Sequence, residues 1–308
     1  MNEIGPKQNR GGQFNNNPTF SLNIHLLGMS ECVRAAKRNG SSSIICASGG
    51  NAGLAVAHAA RSLSLPCHIV LPETSLAIAQ ERLKSLGAKV TLHGSVWNDA
   101  NSFALKLAAE EGAAYVHPYD SEIAWEGHAS IIDEIAMDLK GVVPSAVIAS
   151  VGGGGLLGGV MKGVDRQPLY NAGNRPRIIA VETHGSNCLN AAVTAGKLVT
   201  LTSLNSVAKS LGASQVASGV FDMVNKIDTG KFTSTTVSDK EAVYACRSFL
   251  NEQRMLVEPA CGAALSIVYD ATKLKALVPE GGDVIVIVCG GSIISLDDLN
   301  DMIKGVSS

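Results

Sequence analysis

The chain has 308 residues, 46% of them hydrophobic and 17% charged, with a formal net charge of -2. Apolar material is ample for one large or two modest cores, and the near-neutral balance excludes a nucleic acid or an anionic membrane surface as the expected partner. No apolar run approaches the ~20 residues of a membrane helix, and the N-terminus lacks the basic-then-apolar order of a secretion signal.

Residues 1–18 are rich in Asn, Gln and Gly, a composition that buries little apolar surface and points to disorder. From Gly28 the pattern changes. A helix is expected over Met29–Arg38, then strand Ser43–Ala47, helix Asn51–Leu63 and strand Cys67–Leu71. Helix Ser75–Leu86, strand Val90–His93 and helix Asn98–Glu111 follow. Helix Trp125–Leu139 leads to strand Ala146–Ser150, and a glycine run opens the next helix, up to Lys162. Strand Ile178–Glu182, helix Leu189–Ala195, helix Asp239–Gln253, strand Val284–Val288 and helix Leu296–Lys304 complete the series. Ser238 is placed to cap the Asp239 helix, with Glu241 three positions on. Short apolar strands alternating with longer helices predict parallel βαβ units, in two open α/β domains with a cleft between them.

The seven cysteines (Cys32, Cys46, Cys67, Cys188, Cys246, Cys261 and Cys289) include no CxxC pair, so no zinc site is expected. Several lie in apolar runs and read as free thiols in a reducing compartment, with a cytoplasmic location as the expectation.

Three glycine turns follow strands. Gly152-Gly153-Gly154-Gly155-Leu156 can point several backbone N–H groups at one spot, and the following helix start adds roughly half a positive charge. The pair suits a phosphate; the alternative is a tight turn with no ligand. Ser48-Gly49-Gly50-Asn51 carries a hydroxyl and an amide near a helix start. They either bind a carboxylate or merely cap the helix. Cys289-Gly290-Gly291-Ser292 places a thiol at a strand end, for a ligand or for burial.

Together these turns resemble the fold-type II enzymes that use pyridoxal 5′-phosphate (PLP), and among them the L-serine dehydratases, or serine-threonine ammonia-lyases. Ser48–Gly53 resembles the S-x-G-N-x-G loop, and Gly152–Leu156 the phosphate cup. Trp125-Glu126-Gly127-His128, Val207–Gly212, Val257–Ala264 and Val288–Ser292 resemble further motifs in the same order. The resemblance implies a substrate carboxylate on Ser48, Gly49 and Asn51, with Asn51 also near the cofactor's 3′-oxygen. It implies the PLP phosphate on the amides of Gly152, Gly153, Gly154, Gly155 and Leu156, and Cys289 facing the pyridine nitrogen. A monovalent cation such as K+ is implied at Glu182, Ser186, Leu211 and Ala213; a strand-end Glu182 facing water is the alternative. The implied reaction is elimination of water from L-serine, and from L-threonine, giving pyruvate or 2-oxobutyrate and ammonia. A small amino-acid substrate and a homodimer are implied with it.

Two family residues, a lysine and an arginine, have no counterpart. Counting back from Asn51, Gly28 falls on the glycine of the family's S-F-K-x-R-G segment, so His25 stands at the Schiff-base lysine and Leu27 at the arginine. That lysine holds the cofactor and takes the α-proton, and imidazole replaces neither role. Residues 1–28 are therefore read as a non-family segment, 29–121 as a small α/β domain and 122–308 as a larger cofactor-binding domain. A disabled enzyme, an alternative N-terminal exon and a non-catalytic binding paralogue all fit this pattern.

Overall fold

The computed structural model describes residues 24–75, 77–170, 173–278 and 282–307. The disorder expected for residues 1–18 lies outside them. Eight strands among the described residues form two parallel sheets. The first contains β1 (Ile44–Cys46), β2 (Cys67–Leu71), β3 (Lys89–Leu92) and β4 (Ala114–Tyr115), in the order β3-β2-β1-β4. The second contains β5 (Ala146–Ser150), β6 (Arg177–Thr183), β7 (Phe232–Val237) and β8 (Val284–Val286), in the order β7-β6-β5-β8. The inner strands β1, β2 and β5 are buried at every position, because helices cover both faces of a parallel sheet.

In each sheet the chain winds one way from a central strand and then returns to its other side. The central strands are β1 and β5. Ligands bind at such switch points, at the carboxyl ends of the strands. Ser48–Gly53 follows β1, Gly152–Leu156 follows β5, and Cys289 lies just past β8, the neighbour of β5.

The first sheet carries α1 (His25–Arg38), α2 (Asn51–Ser62), α3 (Ala77–Ser85) and α4 (Trp97–Glu111). The second carries α5 (Glu122–Asp138), α6 (Gly155–Arg166), α7 (Cys188–Ala195), α8 (Ser218–Lys226), α9 (Asp239–Gln253), α10 (Pro259–Tyr269), α11 (Ala271–Leu277) and α12 (Leu296–Ser307). Close helix contacts run along glycines. A Cβ on Gly159 of α6 would fall 2.3 Å from the His128 Cβ of α5, and one on Gly127 of α5 would fall 2.5 Å from the Leu27 carbonyl of α1. A Cβ on Gly262 of α10 would meet the Ala242 carbonyl of α9 at 2.0 Å.

The expected capping box is present: Ser238 Oγ accepts from the Glu241 amide at 3.2 Å, and the Glu241 carboxylate accepts from the Ser238 amide at 2.8 Å. Some elements differ from expectation. Helix α1 begins at His25 rather than Met29, because Ile24, Leu26 and Leu27 pack its first turn into the core. The two-residue β4 is too short to show a period. Helix α10 is buried all round by small residues and presents no amphipathic stripe. Strand β7 is an edge whose sequence, Phe232-Thr233-Ser234-Thr235-Thr236-Val237, is mostly polar.

The glycine seams give a direct test. Gly262→Ala should lower unfolding stability in urea by about 1–3 kcal/mol, as overpacking does in a filled core. Gly305→Ala, in α12 where nothing lies within 4 Å of the new Cβ, should be neutral or stabilising.

Candidate active site

At the end of β5, the Val151 amide bonds the Val181 carbonyl at 2.9 Å and fixes where the strand stops. The Gly152 carbonyl accepts from Cys188 Sγ at 3.4 Å, and the Gly153 carbonyl accepts from the Ala217 amide at 2.9 Å. Gly154 adopts φ +95°, and the first helical bond of α6 runs from the Gly158 amide to the Gly154 carbonyl at 2.8 Å. The amides of Gly152 to Leu157 donate to no acceptor among the described residues. The turn therefore presents open donors at the positive end of a helix, the arrangement that holds a phosphate. The Tyr119 ring lies over Gly153, 2.3 Å from where a Cβ would stand, so a side chain there would displace it.

Facing this turn is the start of α2. Gly53 must be glycine because a Cβ would stand 1.8 Å from the Ser48 carbonyl oxygen. Ser48 Oγ accepts from the Gly50 amide at 3.4 Å, and the helix has no side-chain cap. Asn51 is buried and reaches out of its own domain. Its Nδ2 donates to both oxygens of Glu258 at 3.1 Å. Its Oδ1 accepts from the Ser292 amide at 3.2 Å and from Ser292 Oγ at 2.8 Å. The alternative that Asn51 merely caps α2 does not hold: its amide is held by two segments of the other sheet.

Glu258 also accepts from Ser210 Oγ and from the Ile293 amide at 3.1 Å. Ser210 and Leu211 in turn lie against Gly152, whose Cβ would meet Leu211 Cα at 3.1 Å and the Ser210 carbonyl at 3.3 Å. One wall of the site thus runs from the glycine turn through Ser210 and Glu258 to Asn51 and Ser292. The other wall is aromatic. Trp97 Nε1 donates to the Ala47 carbonyl at 2.7 Å, Trp125 Nε1 donates to the Tyr119 carbonyl at 2.8 Å, and the His117 and Tyr119 rings meet edge-on with centroids 4.7 Å apart. Burial pushes the Tyr119 hydroxyl up to about 12 and holds His117 below the usual histidine range.

Cys289 is half-buried, next to Gly290, whose carbonyl accepts from the Glu258 amide at 3.1 Å. The Cys289 amide donates to Cys261 Sγ at 3.1 Å, and Cys261 Sγ donates to the Gly290 carbonyl at 3.3 Å. A hydrogen bond with the Cys289 thiol, and then burial, push the Cys261 thiol well above its ordinary value.

Glu182, next to last in β6, is fully buried and accepts from the Leu189 and Asn190 amides of α7 at 2.9 and 2.7 Å. Burial raises its carboxyl to about 8 against the pull of those amides. The alternative of a water-facing Glu182 is thereby corrected. Ser186 is buried in the turn after β6, and the Leu211 carbonyl accepts from the Ala213 amide at 2.8 Å. Among the described residues, no three His, Cys, Asp or Glu side chains cluster as a metal site.

His25 opens α1 and meets His128 edge-on, ring centroids 6.3 Å apart, one helical turn behind the glycine cup. Burial lowers His25 to about 4; burial and then His25 itself lower His128 to about 3.

The family model described as "Pyridoxal-phosphate dependent enzyme" matches residues 15–290. The chain belongs to the pyridoxal-phosphate dependent enzymes. The match begins inside the segment read above as lying outside the family. A human relative described as serine dehydratase-like is 46% identical over 288 residues, covering 92% of this chain and 84% of that protein. An L-serine dehydratase of Dictyostelium discoideum is 37% identical, covering 93% of this chain and 83% of that protein. The crystal structure of a fungal L-serine ammonia-lyase from Rhizomucor miehei superposes with a TM-score of 0.82 at 34% identity, over 92% of this chain and 88% of that one.

Glu258, Ser292, Ser210 and the Trp97–His117–Tyr119 wall were not singled out from the sequence. A signal for Glu258 was there: an acid directly before Pro259 stands at a helix N-terminus, where a carboxylate has a purpose.

The histidine pair sets a pH dependence. Both residues bind their proton more weakly folded than at the ordinary 6.5, so the unfolded chain takes up protons first as pH falls. Their contribution is intact above about 6.5 and is lost progressively toward about 3. The urea midpoint should fall over that window, and His128→Gln should flatten the fall.

Proposed function

We propose that this chain holds PLP and an amino acid in the frame of an L-serine ammonia-lyase that also accepts L-threonine. The observation that carries it is the open-amide glycine turn, tied through Ser210 and Glu258 to Asn51 of the facing sheet. The family and the serine dehydratase relatives support the reaction class.

The turn fits a phosphate by its donors and by having no room for side chains. The amides of Gly152, Gly153, Gly154, Gly155 and Leu156 would hold that phosphate, and Cys289 would face the pyridine nitrogen with a thiol that leaves it uncharged. When bound, PLP supplies an electron sink for the α-carbon, so that a β-hydroxyl can depart. Ser48, Gly49 and Asn51 would take the substrate carboxylate at the start of α2. Tyr119 and Trp97 would exclude water from the aromatic side. The reading extends to a monovalent cation such as K+ at Glu182, Ser186, Leu211 and Ala213, through the family resemblance. A homodimer belongs to it through the family resemblance alone, and a cytoplasmic location through the free cysteines of the sequence.

The amine is the missing part. His25 stands at the lysine position, and imidazole does not bond an aldehyde stably. Lys37 is committed to the Leu63 carbonyl at 2.8 Å, and Lys7 lies outside the described residues. The chain accordingly keeps the binding frame and lacks the residue that joins the cofactor and takes the α-proton.

Titration with PLP, followed by borohydride reduction and mass spectrometry, tests both halves. Saturable binding with free-aldehyde absorbance, no pyridoxyl on the chain and no pyruvate from L-serine are expected. A pyridoxyl-modified side chain would overturn the missing amine, and absence of binding would overturn the phosphate cup. Gly153→Ala, which forces Tyr119 aside, should weaken PLP binding about tenfold or more, a loss of about 1.4 kcal/mol.

A further inference from the structure

Two buried carboxylates stand near the glycine turns, and the fold explains only one. Glu182 accepts the first amides of α7, so a helix terminus compensates its charge. Glu258 occupies the N-cap of α10 yet caps nothing there. Its side chain is 4% exposed with the residue and turns across the cleft. No Lys, Arg or His among the described residues pairs with it. Its donors are neutral and come from three separate segments: Asn51, Ser210 and Ile293. A Cβ on Gly291 would stand 2.3 Å from Glu258 Cγ, so the turn after β8 is kept bare to let the carboxylate pass. A buried carboxylate with neutral donors alone is an open demand for a cation.

We propose that Glu258 binds the ammonium group of a bound amino acid, by an exchange in which Asn51 gives up the carboxylate. The inference rests on the amino-acid site proposed above and names its second pole. A carboxylate offers about four acceptor positions. The two Asn51 contacts, Ser210 and Ile293 fill them, so an incoming ammonium must displace a donor. Asn51 is the donor to go, because its freed N–H groups then meet the ligand carboxylate at the start of α2. The amides of Asn51, Ala52 and Gly53 have no acceptor among the described residues and add to that end. Each pole of a zwitterion thus pairs with an opposite group. A hydroxy acid of the same shape would instead set its carboxylate against an uncompensated Glu258. In a chain without the covalent lysine the ligand's amine stays a cation, and Glu258 alone reads it.

Calorimetric titration of the full chain, free of PLP, with L-serine, L-glycerate and serinol tests this. L-serine should bind at least tenfold more tightly than either single-pole analogue, in line with a charge-assisted hydrogen bond at each end. Glu258→Gln should erase the preference over L-glycerate, while Asp301→Asn, which removes an exposed carboxylate on α12 away from the site, should retain it. Equal binding of L-serine and L-glycerate, no saturable L-serine binding, or a preference that survives Glu258→Gln would overturn the assignment. Should Glu258→Gln fail to fold, the comparison in the unaltered protein decides by itself. PLP titration of the same preparation separates the two readings. PLP binding without a serine preference removes the Glu258 role and leaves the phosphate cup; a serine preference without PLP binding does the reverse.

Discussion

The carboxamide of Asn51 joins the two sheets, and the site depends on that join. Its nitrogen meets Glu258 and its oxygen meets Ser292, so one side chain from the first switch point is read at both ends by segments of the second sheet. Neither sheet alone encloses the cleft. The glycine turn after β5 supplies donors, the turn after β1 supplies the opposing helix start, and Asn51 sets how far apart they stand. Because the junction is buried, each of its polar groups must be satisfied by another, and removing one leaves its partner unpaired at a cost of about 1–3 kcal/mol. The site is therefore held by mutual necessity among a few groups.

The elements that position the site were largely legible in the sequence. Strands Cys67–Leu71 and Ala146–Ser150 and helix Asp239–Gln253 have the bounds the pattern predicts, because each is a clean apolar run or begins at a capping box. The glycine turns were legible because only a strand ending in glycines and opening into a helix reads that way. Helix α10 was not, since burial on all sides erases the stripe on which helix recognition relies. Strand β7 was not, since an edge made of threonine and serine resembles a loop. In the site, residues that speak through the backbone were visible as motifs. Residues that act by long-range pairing, such as Glu258 with Asn51 207 positions away, leave no local trace of their partner.

His25, read above as standing at the lysine position, is built into the packing of the chain. It begins α1 and finds a partner ring in His128, and the helix it starts packs through Gly127 onto α5. The result is a buried, weakly basic pair behind the cup. The surrounding seams are set by glycines and small residues.

The chain contains two tryptophans, and both stand at the site. The Trp97 indole is anchored to the carbonyl of Ala47, just before the serine turn, and the Trp125 indole to the carbonyl of Tyr119, over the glycine cup. All indole emission of the protein therefore originates within the walls of one cleft. Any chromophore that lodges there sits beside both emitters, which makes the molecule its own optical gauge of occupancy.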